Sequence, residues 1–178
     1  MADWFWIVFL YSFGGFLLER FYARLTRAAN QSRRCLLLLP LCPVYGLGVA
    51  AVLALPPAWR SWPAVLVTGA AAATAVEYGY HWVCQRFLGV RFWDYTGLPG
   101  SLHGRVCLPF SLAWGVLIAA ALAVVQPGVE RLLPHIPPAV TLLAAGVLAV
   151  DAFCSARLLA LSHDPRVLER CPPGREGA

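Results

Sequence analysis

The chain has 178 residues, of which 60% are hydrophobic and 13% charged, with a formal net charge of +5. A soluble domain carries roughly a quarter charged residues, and here the apolar excess lies in long runs, so a single membrane domain with short connections fits the length better than a soluble core. All 14 basic residues are Arg and sit beside apolar runs, which points to membrane topology rather than to nucleic acid.

The first run, Trp4 to Leu18, extends helically to about Leu25. Asp3 precedes it and Arg20 and Arg24 follow it, so it reads as an anchor with its N-terminus outside, not as a cleaved signal. The second run, Leu36 to Leu55, contains Pro40 and Pro43 and ends at Pro56-Pro57. The third spans Pro63 to Cys84, the fourth Val106 to Val125 before Gln126-Pro127-Gly128, and the fifth Pro138 to Leu161. Each is close to the roughly 20 residues that cross a hydrocarbon core.

If all five runs cross, only Arg60 and Arg131 of the 14 arginines fall on one side, and the rest share the other. If the Pro-containing second run dips in and returns, the arginines no longer sort. The positive-inside rule therefore predicts an all-α polytopic transmembrane bundle of about five spans, N-out and C-in. Residues 1–162 form one transmembrane domain in this reading, and 163–178 a short disordered cytoplasmic tail. Between spans 3 and 4 the link from Gln85 to Arg105 is an interfacial cytoplasmic loop; its Trp93 and Tyr95 suit the headgroup level.

Three acids fall within predicted helices: Glu19, Glu77 and Asp151. An ionisable group at membrane depth costs on the order of 2.5–3.5 kcal/mol on insertion scales unless it is paired or hydrated. All three lie toward the cytoplasmic side. Glu19 has the alternative of snorkelling beside Arg20. For Glu77 and Asp151 a buried hydrogen bond or ion pair that holds the bundle competes with a substrate-facing role.

The second run carries P-L-C-P-V-Y-G over Pro40 to Gly46. Two prolines three apart break a helix, and a broken helix at membrane depth lies against protein or a cavity. Transporters use such breaks to present backbone groups to a substrate; a kinked helix satisfied by its neighbours is the plainer alternative, and Cys42 and Tyr45 flank the break. In the loop, Trp93, Asp94, Tyr95, His103 and Arg105 supply an acid, aromatic faces, an imidazole and a guanidinium. Asp94 and Arg105 form a loop-closing salt bridge in one reading; in the other, Arg105 and His103 meet an anionic headgroup or substrate.

The six cysteines, Cys35, Cys42, Cys84, Cys107, Cys154 and Cys171, contain no C-x-x-C pair and read as free thiols. Their spacing suits no metal, and no cofactor motif is present. The chain has no phosphate-binding G-x-x-x-x-G-K-[ST], no H-E-x-x-H and no G-x-S-x-G.

The stretches Y-S-F-G-G-F-L-L-E-R-F-Y (11–22), L-P-L-C-P-V-Y-G-L-G (39–48), A-V-E-Y (75–78), F-W-D-Y-T (92–96) and G-R-V-C-L-P-F-S-L-A-W-G (104–115) resemble a family of small bacterial membrane proteins described as ABC-transporter type IV, or ABC transporter permease. The resemblance covers roughly residues 4 to 155. It places the family's motif residues at Glu19, Cys42, Pro43, Tyr45, Gly46, Glu77, Tyr78, Trp93, Asp94, Tyr95, Gly104, Arg105, Cys107 and Leu108. Phe16 stands where Trp is usual, and Arg33-Arg34-Cys35 replaces an Asn-Arg-Gly, so the resemblance assigns no role to that link.

The resemblance implies a permease or transport subunit of the bacterial cytoplasmic membrane, in contact with the lipid bilayer; the motif residues lie on the same side as the three acids, and together they suggest one polar cavity open to the cytoplasm. Five helices are few for a permease, which implies a homodimer or a partner, with any ATPase on a separate chain. A membrane-embedded enzyme acting on a lipid or headgroup, with Glu19, Glu77, Asp94 or Arg105 as working groups, is the alternative. A non-catalytic assembly or regulatory protein is the third.

Overall fold

The computed structural model describes residues 2–27 and 35–169, and among them the fold is all-α with one isolated bridge, Leu102 to Val106. Helix α1 spans Ala2–Leu25, α2 Pro43–Leu53 and α3 Ala64–Val83, which runs on through a π-turn at Cys84–Leu88. Helix α4 spans Leu108–Ala120 and continues through a second π-turn, Ala121–Val125, into α5, Gln126–Leu132. Helix α6 spans Pro138–Ser162, and a 3-10 turn at Pro165–Glu169 follows. Arg33, Arg34, Arg170, Arg175 and Cys171 lie outside the described residues.

Two boundaries differ from the sequence expectation, both at prolines. The second run is helical only from Pro43, which takes the first turn of α2, where a missing N–H costs nothing. Residues 35–42 before it are irregular, and Leu36 is left-handed with φ +74°. The fourth run does not end at Gln126-Pro127-Gly128. The π-turn shifts the hydrogen-bond ladder one turn ahead of Pro127, and the helix continues past it.

Helices α1, α2, α3 and α4 pack in sequence around a core of Ile7, Val44, Val49, Val65, Trp114 and Ile118. The closest approaches are made at glycines. A Cβ on Gly46 of α2 would collide with the Val8 carbonyl oxygen of α1, and one on Gly115 of α4 with the Leu66 carbonyl oxygen of α3. Small residues at these crossings let backbones touch, which is how helices gain packing energy where apolar side chains alone give no preference over lipid. A second, smaller core of Cys84, Val90, Leu159 and Leu168 ties the end of α3 to the end of α6.

Two stretches, Leu108–His135 and Pro138–Ser162, are long and apolar enough to cross a membrane by length and hydropathy. Helix α6 leaves Leu142, Leu143, Val147, Val150 and Phe153 exposed along its length. Exposed apolar surface this continuous marks contact with lipid or with another chain.

The glycine crossings give a direct test. Gly115→Val should lower the thermal midpoint in detergent, by an overpacking cost of roughly 1–3 kcal/mol. Gly146→Val, at a site with nothing within 4 Å of the added Cβ, should leave it close to wild type. Equal midpoints for the two variants would show that the α3–α4 crossing is not tight.

Candidate functional site

The break before α2 is held by α6. Leu38 N–H donates to Ser155 Oγ at 3.1 Å and Leu39 N–H to Asp151 Oδ1 at 3.1 Å. Asp151 and Ser155 are four apart, on one face of α6, so a single face meets two successive backbone donors that a helix would have used internally. Cys42 N–H donates to the Ser12 carbonyl of α1 at 2.8 Å. Asp151 is thus engaged with the backbone of the broken segment. Cys42 is 1% exposed and pairs in a disulfide with Cys35, their Cα atoms 5.1 Å apart. The expectation of free thiols is corrected for these two: the irregular path between them folds the chain back far enough to join positions that linear spacing kept apart. Cys84, Cys107 and Cys154 are free.

A carboxylate-centred cluster joins four helices and the loop. Glu77 of α3 is 4% exposed. Its Oε1 accepts from Tyr95 Oη at 3.1 Å and its Oε2 from Trp114 Nε1 at 2.9 Å. The Trp114 ring lies 4.8 Å from that of Tyr45, and Tyr45 Oη donates to Glu19 Oε1 at 2.7 Å. Glu19 and Glu77 are close enough for their charges to interact. Tyr95 also stacks on Phe110 at 4.9 Å, and its hydroxyl is held well above the usual phenol range by burial first and by Glu77 second. Glu19, Tyr45, Glu77 and Tyr95 are therefore linked through Trp114. Beside Tyr45 and Trp114 lies a cavity of about 240 Å³ between α1, α2 and α4, with Leu10, Gly14, Leu18 and Leu117 in its wall.

The loop from Gly89 to Cys107 has its own architecture. Arg105 N–H donates to the Leu102 carbonyl at 3.1 Å, and the two residues between have φ of +56° (His103) and +69° (Gly104), as in a type I′ turn. Trp93 Nε1 donates to the Arg105 carbonyl at 2.8 Å and Tyr95 N–H to the Gly104 carbonyl at 2.8 Å. Asp94 Oδ1 accepts from Thr96 N–H at 2.8 Å and from Thr96 Oγ1 at 2.6 Å. These bonds, more than the Arg91 charge 3.9 Å away, hold the Asp94 carboxyl below its usual range. An Asp94–Arg105 salt bridge is not formed: Thr96 and Arg91 take the acid, while Arg105 turns to Tyr78 and Gln85.

Sequence reasoning gave no role to Trp114, Gln85 and His81, and named Tyr78 only through the family resemblance. Tyr78, His81 and Gln85 fall at helical spacing on one face at the end of α3, a signal that was readable. It also missed a polar relay away from the cluster, in which Tyr11 Oη donates to Gln126 Oε1 at 3.0 Å and Gln126 Nε2 donates to Glu130 Oε1 at 2.9 Å.

Ser155→Ala tests the hold on the broken segment. It removes the acceptor of a partly buried N–H and should cost roughly 1–3 kcal/mol in unfolding free energy. Asp151→Leu should cost at least as much, while Cys154→Ala, on an exposed neighbour, should be close to neutral in the same denaturation series.

A family model described as "Putative ABC-transporter type IV" matches residues 6–156. No curated protein and no solved structure gives a match. The matched span takes in every element from α1 to the middle of α6, and with it the Glu77 cluster, the break before α2 and the loop. On that coverage, the chain belongs to the ABC-transporter type IV family.

Proposed function

We propose that this chain is the membrane subunit of a transporter, a multi-pass protein of the cytoplasmic membrane that works with a separate ATPase chain and, with so few helices, as a homodimer or beside a second membrane chain. The observation that carries the reading is Glu77. A carboxylate buried in an apolar helix bundle, close to a second one at Glu19, is costly to keep and marks ion and substrate paths in membrane proteins. An apolar-walled cavity lies beside Tyr45 and Trp114, the two side chains that hydrogen-bond Glu19 and Glu77. Family membership supports the transport role.

The topology in this proposal is N-out with five crossings, and the Glu19–Glu77 cluster lies toward the cytoplasm, in a polar pocket that opens there. Helix α2 has 11 residues and rises about 17 Å, short of a hydrocarbon core of about 30 Å. Residues 35–42 supply the remaining depth. Non-helical backbone is tolerated at membrane depth where protein covers it, and α6 and α1 cover this segment at Ser155, Asp151 and the Ser12 carbonyl.

Topology reporters fused after Ala58, Gly97 and Leu132 should read outside, inside and outside; an inside signal after Leu132 removes the five-span arrangement. The transport role is tested by purifying the chain from its native membrane into lipid nanodiscs. A nucleotide-binding chain should co-purify in fixed ratio and hydrolyse ATP. Glu77→Gln should assemble normally yet depress that turnover. A chain that purifies alone and supports no ATP hydrolysis would contradict the reading.

A further inference from the structure

Arg105 is held in place by neutral groups. Its Nη1 donates to Tyr78 Oη at 2.7 Å, its Nη2 donates to Gln85 Oε1 at 3.2 Å, and its guanidinium carbon lies 5.0 Å from the Tyr78 ring centre. The ion pairs among the described residues are Arg91–Asp94 and Arg166–Asp164, and Arg105 is in neither. Its Nε–H is buried and has no acceptor. A half-buried guanidinium that is oriented by neutral neighbours keeps its full charge and its remaining donors for something else. The planar fork suits a phosphate or carboxylate.

The neighbours sharpen this. The Tyr78 hydroxyl accepts from Arg105 at 2.7 Å and lies in hydrogen-bond contact with His103 Nδ1 at 3.0 Å. With Nδ1 engaged by Tyr78, Nε2 is the ring nitrogen left to an incoming group, and His103 is exposed. The imidazole is carried at the first central position of the type I′ turn, at φ +56°. Below, on the same face of α3, His81 is 3% exposed with an unpartnered Nδ1, and it lies near enough to Arg105 for their charges to interact.

We propose that Arg105, Tyr78 and His103 form a binding site for a phosphate group, carried either by an anionic phospholipid headgroup or by a soluble phosphate. Arg105 supplies the charge and a donor fork, His103 supplies Nε2, and Tyr78 couples the two. The site does not depend on the transport role proposed above, because neither Glu77 nor a partner chain takes part in it.

The test uses the full chain in phosphatidylcholine nanodiscs, with the thermal midpoint as readout. One arm raises the phosphatidylglycerol fraction; the other adds inorganic phosphate. The wild type should be stabilised saturably. Arg105→Lys, which keeps the charge but not the fork, should bind about tenfold more weakly, and His103→Ala should weaken binding too. Arg86→Gln removes an exposed charge outside the cluster and should respond as wild type. A response in the lipid arm alone assigns the headgroup, one in the phosphate arm alone assigns a soluble ligand, and one in both assigns the phosphate whatever carries it. If Arg105→Lys fails to fold, His103→Ala decides. No saturable response in either arm overturns the proposal. So does a response that Arg105→Lys and His103→Ala retain in full, or one that Arg86→Gln loses as completely as they do.

Discussion

The Glu77 carboxylate is the acceptor on which the rest of the arrangement depends. Two donors from different parts of the chain converge on it, the Trp114 indole from α4 and the Tyr95 hydroxyl from the loop. A buried carboxylate without such partners costs several kcal/mol, and an indole N–H or a phenol buried without an acceptor costs about 1–3 kcal/mol each. All three groups therefore avoid a penalty by meeting in one geometry. That geometry sets the rotation of α3 against α4 and fixes where the loop crosses them. Trp114 then carries the order outward, because its ring packs on Tyr45, which in turn reaches Glu19 on α1.

A second constraint acts at the break before α2. Pro40 and Pro43 prevent a continuous helix, and the backbone donors exposed by the break need acceptors in an apolar setting. Ser155 and Asp151 provide two of them from one face of α6. This explains why a helix with so much exposed apolar surface carries an acid at all. Asp151 and Glu77 are both intramembrane-type acids by sequence, yet one ties down backbone and the other gathers side-chain donors. The difference lies in what faces each of them.

Much of this was legible in the sequence. Hydrophobic runs located α1, α3 and α6 almost to the residue, because length and composition alone decide such helices. A shared depth in the first and third runs suggested that Glu19 and Glu77 lie together. Three things were not legible. The continuation past Pro127 depends on a π-turn, a ladder shift that no local residue pattern announces. The Cys35–Cys42 pairing depends on the path of the irregular segment between them. The fate of Asp94 and Arg105 depends on competition: Thr96, two residues away, reaches Asp94 first, and the α3 face of Tyr78 and Gln85 captures the guanidinium.

The most direct test of the Glu77-centred account is a double-mutant cycle between Glu77→Leu and Trp114→Phe, read as unfolding free energy in detergent micelles. If the indole N–H and the carboxylate satisfy each other, Glu77→Leu strands the Trp114 N–H and the Tyr95 hydroxyl, Trp114→Phe strands a carboxylate oxygen, and the double change strands the Tyr95 hydroxyl alone. The account predicts a coupling of roughly 1–3 kcal/mol, the double variant being more stable than the sum of the single losses implies. Losses that add within about 0.5 kcal/mol would show that the two groups do not depend on each other, and would contradict it.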